Sequence, residues 1–162
     1  MIETKFGEIE IKFFPDEAPG HVENFIELAN KGVYNGTLFH RIIPGFMIQG
    51  GDPNTTGADT RTYGQGGPGY EIQSEFNAIS HKRGIVSMAR GKGVDSAGSQ
   101  FFIMVDNKPQ LDGQYTVFGE VVRGMDVVDL ISELPRNAKE MPLERVSMKV
   151  KIIAPPKAPV KK

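Results

Sequence analysis

Apolar and polar residues alternate at both ends of this chain, and a period of two admits little besides β-strands. Ile2, Thr4 and Phe6 alternate with polar neighbours, Gly7 interrupts, and Ile9, Ile11 and Phe13 resume the pattern between Glu8, Glu10 and Lys12. Because successive side chains of a strand point to opposite faces, this reads as an N-terminal hairpin with one buried face. Near the other end Val146, Met148, Val150 and Ile152 alternate with Ser147, Lys149 and Lys151, so both ends are expected to join one sheet. Nineteen glycines and eleven prolines stand among the 162 residues. That is about one residue in five, against an average of about one in eight, and it implies many turns between short strands.

Five more segments fit short strands: 38–43, 46–49, 84–88, 100–105 and 117–122 are β-branched or aromatic and bounded by Gly, Pro, Asp or Asn. Two segments fit helices. Over 19–31, Val22, Phe25, Ile26 and Ala29 recur at i, i+3, i+4 and i+7, with acids near the start and Gly32 beyond the end. Over 125–134, Val127, Val128 and Ile131 supply a shorter buried stripe. The expectation is a mainly β domain over residues 1–153, an antiparallel sheet closed into a barrel with helices across its ends. Residues 53–69 read as a long surface loop, and the Pro/Lys-rich segment 154–162 as an extended tail.

Composition excludes several classes. The chain has no cysteine, so disulfides, thiol nucleophiles and thiolate metal sites are absent and a reducing, cytoplasmic setting is expected. Nineteen basic residues against twenty acidic ones leave a net charge of −1, which offers no general attraction for nucleic acid or an anionic membrane. The N-terminus carries acid and base where a signal peptide needs an apolar core. Asp52-Pro53-Asn54 opens like a calcium loop, but Tyr63 stands where the bidentate Glu is needed. His21, His40 and His81 lack metal-ligand spacing. No metal or cofactor is expected, and a monomer is.

The run from Phe39 to Asp52, Phe-His-Arg-Ile-Ile-Pro-Gly-Phe-Met-Ile-Gln-Gly-Gly-Asp, places a cation, large apolar side chains and an amide on either side of a Pro44-Gly45 turn. In a strand Arg41 shares a face with Ile43, and a guanidinium cannot sit unpaired in a core, so Arg41 points outward. Across the turn Met47 and Gln49 share a face. A permanent donor beside an apolar surface, without a nucleophile–base pair, suits a peptide substrate whose chemistry breaks no bond.

This run closely resembles a signature of the cyclophilins, the peptidyl-prolyl cis/trans isomerases. Two further blocks resemble the family in order: Gly84-Ile85-Val86-Ser87-Met88-Ala89 with Gly98-Ser99-Gln100-Phe101-Phe102-Ile103, and Leu111-Asp112-Gly113-Gln114-Tyr115-Thr116-Val117-Phe118-Gly119. The resemblance implies a closed eight-stranded antiparallel β-barrel capped by two α-helices, and catalysis of rotation about X–Pro bonds in support of folding. It implies Arg41 as the catalytic arginine and Gln49 as the polar partner of the substrate backbone. Phe46, Met47, Phe102 and Leu111 would form the proline pocket, with Tyr115 where many relatives have histidine. Ala89, Arg90, Gly91 and Gln100 would border a neighbouring subsite, Arg90 and Gly91 standing where asparagine and alanine are common. The implied partners are proline-containing peptides and unfolded or partly folded proteins. Cyclosporin is expected to bind weakly, because Gln110 replaces a tryptophan against which it packs in many relatives. A non-catalytic proline-peptide module and a broad chaperone are the alternatives; the complete set of chemistry-bearing residues favours the isomerase.

Overall fold

The computed structural model describes residues 1–153, and the expected tail at 154–162 lies outside the described residues. The strands are β1 (Ile2–Thr4), β2 (Gly7–Phe13), β3 (Phe39–Ile43), β4 (Met47–Gly50), β5 (Ile85–Met88), β6 (Phe101–Met104), β7 (Val117–Arg123) and β8 (Lys149–Val150). They form one antiparallel sheet in the order β3-β4-β6-β5-β7-β2-β1-β8. The sheet curls into a half-barrel around an apolar core. Two helices accompany it, α1 (Pro19–Asn30) and α2 (Met125–Ser132).

Register builds the core. Ile42 pairs with Ile48, Ile48 with Ile103, Ile103 with Val86 and Val86 with Gly119, one continuous row across five strands. The four large side chains of that row are fully buried, as period-two alternation requires of one face. Phe25 of α1 enters from the side, its ring centroid 4.8 Å from that of Tyr34, 5.4 Å from Phe101 and 5.5 Å from both Phe13 and Phe118. Such tilted and edge-on pairs add to simple burial. The first turn of α1 contains no acid. Instead Glu75, distant in sequence, accepts from the backbone N–H groups of Gly20 and His21, satisfying donors that a helix start leaves free.

The expected closed barrel is corrected to an open ladder. The segments leading into the edge strands β3 and β8 meet through one isolated bridge, Leu38 to Ser147, flanked by bonds from Phe39 N–H to Val146 O and from Met148 N–H to Thr37 O. The physical reason lies on the free edge of β3. There Ile42 N–H donates to Glu140 O at 2.8 Å, and the Arg136 guanidinium donates to Ile42 O at 2.8 Å. A loop occupies the edge that a closing strand would need. The C-terminal strand is two residues long rather than the seven of its alternating pattern, because it passes from residues 37–39 to β1 and pairs regularly only with the latter.

Candidate active site

The outer face of the same strands carries a second row, one residue out of phase with the core. Arg41 pairs with Gln49, Gln49 with Phe102 and Phe102 with Ser87, and beside it Ile43 pairs with Met47 and Met47 with Met104. Met47 and Phe102 are buried although they face away from the barrel interior, because Phe46, Leu111, Tyr115 and Ala89 pack around them. They leave a hollow of about 150 Å³, lined by Arg41, Phe46, Met47, Gln49, Ala89, Arg90, Phe102, Leu111 and Tyr115. Drug-sized ligands occupy roughly 300–1,000 Å³, so this hollow suits a single small ring. Nine of the eleven residues singled out by sequence meet here.

Charge sits at its rim. Arg41, whose side chain is 44% exposed, donates from Nε to the Glu140 carboxylate at 3.3 Å. Next to it, Gln49 Nε2 donates to Gln100 Oε1 at 3.0 Å, and Gln100 Nε2 donates to Gly66 O at 2.9 Å. Chaining the amides through their N–H groups leaves the Gln49 carbonyl oxygen free to accept. On the opposite wall the Arg90 guanidinium lies 4.9 Å over the Tyr115 ring and donates to Gln114 O and Gly91 O. This cation–π contact pins a side chain that would otherwise sweep the mouth of the hollow.

A polar relay, buried at His81 and Ser87 and partly exposed at Asp112, supports the apolar floor. The Asp112 carboxylate accepts from Ser80 Oγ, from the His81 backbone N–H and, at 3.1 Å, from His81 Nδ1. With Nδ1–H committed to the carboxylate, neutral His81 accepts at Nε2 from the Ser87 hydroxyl, 2.9 Å away. The imidazole stacks on Phe102, centroids 6.0 Å apart, and meets Tyr115 edge-on. Burial pulls the His81 pKa below its ordinary value, with Asp112 opposing. Bonds from Ser80 and the His81 backbone N–H hold the Asp112 carboxyl below the usual range. Ser, His and Asp are thus aligned, but Ser87 and His81 are fully buried; the trio braces Phe102 and ties down the loop bearing Leu111.

Gly91 and Gln100 line a second, larger hollow of about 530 Å³, which shares Gln49, Ala89 and Arg90 with the first. Its far wall comes largely from the segment 53–69 expected to be a plain surface loop, through Gly64, Gln65, Gly66, Gly67 and Gly69, continued by Tyr70 and Glu71. That segment folds through 3₁₀ turns at Pro53–Thr56 and Thr60–Thr62 around Asp52, which is fully buried. The Asp52 carboxylate accepts from the backbone N–H groups of Asn54, Gly64 and Gly66. A Cβ on Gly66 would stand 2.2 Å from Asp52 Oδ1, so only glycine allows this approach. The glycine cluster was the visible signal for a backbone-lined wall. Glu140, which sequence reasoning also missed, had no local signal.

The three histidines are packed, not exposed: His21, His40 and His81 are all buried, and burial lowers the pKa of each. Among the described residues no three His, Asp or Glu side chains group so as to hold a metal ion. No helix among them is long and apolar enough to cross a membrane.

Known proteins resemble the chain in sequence and in fold. Residues 1–152 match the family model described as cyclophilin type peptidyl-prolyl cis-trans isomerase/CLD. A probable peptidyl-prolyl cis-trans isomerase of Brucella abortus is 46% identical over 138 residues, covering 82% of this chain and 70% of that protein. Peptidyl-prolyl cis-trans isomerase B of Bacillus subtilis is 48% identical over 122 residues, covering 74% of this chain and 80% of that one. Among solved structures, a cyclophilin type peptidyl-prolyl cis-trans isomerase of Cryptosporidium parvum, crystallised in the presence of the dipeptide Ala-Pro, superposes with a TM-score of 0.83. It is 33% identical and the match covers 91% of this chain and 93% of that one. The chain belongs to the cyclophilin-type peptidyl-prolyl cis-trans isomerases. It is an isomerase of X–Pro peptide bonds.

Proposed function

We propose that the smaller hollow receives the proline ring of an X–Pro peptide and that Arg41 is the catalytic donor. The observation that carries this reading is the cross-strand row Arg41–Gln49–Phe102, which sets a guanidinium and an amide against an apolar floor. Amide resonance raises a barrier of about 18–20 kcal/mol, and X–Pro bonds therefore exchange in tens to hundreds of seconds. As the bond twists, the prolyl nitrogen becomes pyramidal and its lone pair localises. A donor aimed at that nitrogen binds the twisted state better than either planar state, which is what acceleration requires.

The remaining residues divide the work. Phe46, Met47, Phe102, Leu111 and Tyr115 hold the ring still while the carbonyl side rotates, and the free Gln49 carbonyl accepts from the substrate backbone. Ala89, Arg90, Gly91 and Gln100 border the larger hollow, which takes the chain preceding the proline. This division needs neither a proton transfer nor a covalent intermediate. Unfolded and partly folded proteins, whose X–Pro bonds are accessible, are the substrates, and the enzyme assists their folding in the cytoplasm as a monomer. Support for peptide binding comes from the Ala-Pro dipeptide used with the Cryptosporidium relative. The test is isomer exchange of an Ala-Pro peptide followed by NMR, with and without Arg41→Ala. Unchanged exchange catalysis by the folded variant would refute the assignment.

A further inference from the structure

Glu140 is the single non-glycine residue with positive φ among the described residues, at 64°. A residue with a Cβ is held in that left-handed region only where its surroundings over-determine it, and such outliers concentrate at functional sites. Here the surroundings are explicit. Residues 136 and 142 bridge, and Asn137 N–H donates to Met141 O. Inside the resulting loop the Asn137 side-chain oxygen accepts from the backbone N–H groups of Lys139 and Met141, and Glu140 N–H donates to Asn137 O. The loop then docks on the free edge of β3 through both backbone groups of Ile42, the residue after Arg41. Folded this way, the tip delivers the Glu140 carboxylate to Arg41 Nε at 3.3 Å, while its second oxygen lies 3.9 Å from Arg136.

We propose that Glu140 is a positioning residue for Arg41: its carboxylate occupies the Nε–H and fixes the guanidinium plane, leaving the terminal N–H groups for the twisting prolyl nitrogen. This inference rests on the reading of Arg41 as the catalytic donor. An arginine side chain 44% exposed otherwise samples many rotamers, and a donor acts only when it is already aimed. The left-handed backbone at 140 is the means of aiming the carboxylate at β3 from a loop that leads away from it.

Five variants test it, with kcat and KM taken from NMR exchange of an Ala-Pro peptide at several concentrations and Tm from thermal unfolding. Glu140→Ala and Glu140→Gly should each lower kcat about tenfold, with KM within about twofold of the parent. Glu140→Gly relieves the left-handed strain and should melt no lower than Glu140→Ala, so its loss of turnover cannot be traced to unfolding. Glu140→Gln, which keeps an acceptor of the same reach, should recover turnover to within about threefold. Combining Glu140→Gly with Arg41→Ala should lower turnover no further than Arg41→Ala alone. Full turnover by Glu140→Gly, or additive losses in the double variant, would overturn the inference while leaving the role of Arg41 intact. Full turnover by Arg41→Ala would overturn both.

Discussion

Arg41 and Gln49 are direct cross-strand partners on β3 and β4, so the guanidinium and the amide project side by side from the outer face of the sheet. The turn between the strands sets that register: Phe46 N–H closes onto Ile43 O at 3.0 Å, with Gly45 at φ 72°. A slip of one residue would exchange Arg41 with Ile42 and place a charge in the core. The core thus enforces the geometry of the site. Arg41→Ala should accordingly reduce kcat/KM by about two to three powers of ten, the scale of losing one preorganised donor. Arg41→Lys should restore only part of it, because a point charge does not reproduce the planar fork. Thermal unfolding should change little, since the side chain is half-exposed and its ion pair weak.

Stability should fall as the solution is acidified through the histidine range. Burial lowers the pKa of His21, His40 and His81 from the ordinary value of 6.5, so in this window the unfolded chain binds more protons than the folded one. Stability then rises with pH. The contribution is complete above about pH 6.5 and is lost as pH falls through 6.5 and the lowered folded-state values. Further loss should follow below about pH 4 as Glu75 and Asp112, whose pKa values are also lowered, take up protons. Urea midpoints measured from pH 7.5 downward check this; a midpoint that stayed constant between pH 7.5 and 5.5 would contradict it.

Two neighbouring glycines should respond in opposite ways. On Gly66 a Cβ meets Asp52 Oδ1 at 2.2 Å and Asn54 Cγ at 2.6 Å, whereas on Gly67 it meets nothing within 4 Å. Gly66→Ala should destabilise by about 1–3 kcal/mol, as overpacking does, and speed amide hydrogen exchange across residues 53–69. Gly67→Ala should be close to neutral in both measurements. Equal behaviour of the two variants would mean that Asp52 does not organise this wall.

Cyclosporin should inhibit weakly. Gln110 lies in the short 3₁₀ turn Pro109–Leu111, next to Leu111 of the smaller hollow, and it offers neither the apolar face nor the N–H of an indole. Gln110→Trp should strengthen inhibition by about 2–3 kcal/mol, or one and a half to two powers of ten. Turnover of short peptides should change little. Tight inhibition of the parent protein, measured in the same exchange assay, would show that this position was mapped wrongly.

Several features were legible in the residues because their cause is local. Alternation located the hairpin over residues 2–13 and placed Arg41 and Gln49 on the outer faces of their strands, and the i, i+3, i+4 stripes located both helices to within two residues. The three motif blocks brought the pocket residues together before any distance was known. Alternation over 146–152 likewise marked Val146, Met148 and Val150 as buried, but regular pairing with β1 is confined to Lys149–Val150, and residues 146–148 bond instead to residues 37–39.

What the sequence by itself determined was the period of each segment, and with it which side chains face the core and which face outward, since that choice depends only on near neighbours and the cost of burying a charge. Tertiary structure alone decided that the sheet stays open and that His81 is braced between Asp112 and Ser87. It likewise wrapped the glycine-rich segment around Asp52 and brought Glu140 to Arg41 across 99 residues of chain. Each of these is a polar contact between residues remote in sequence, whose energy depends on distance and desolvation at one point in space, and no periodicity along the chain records it.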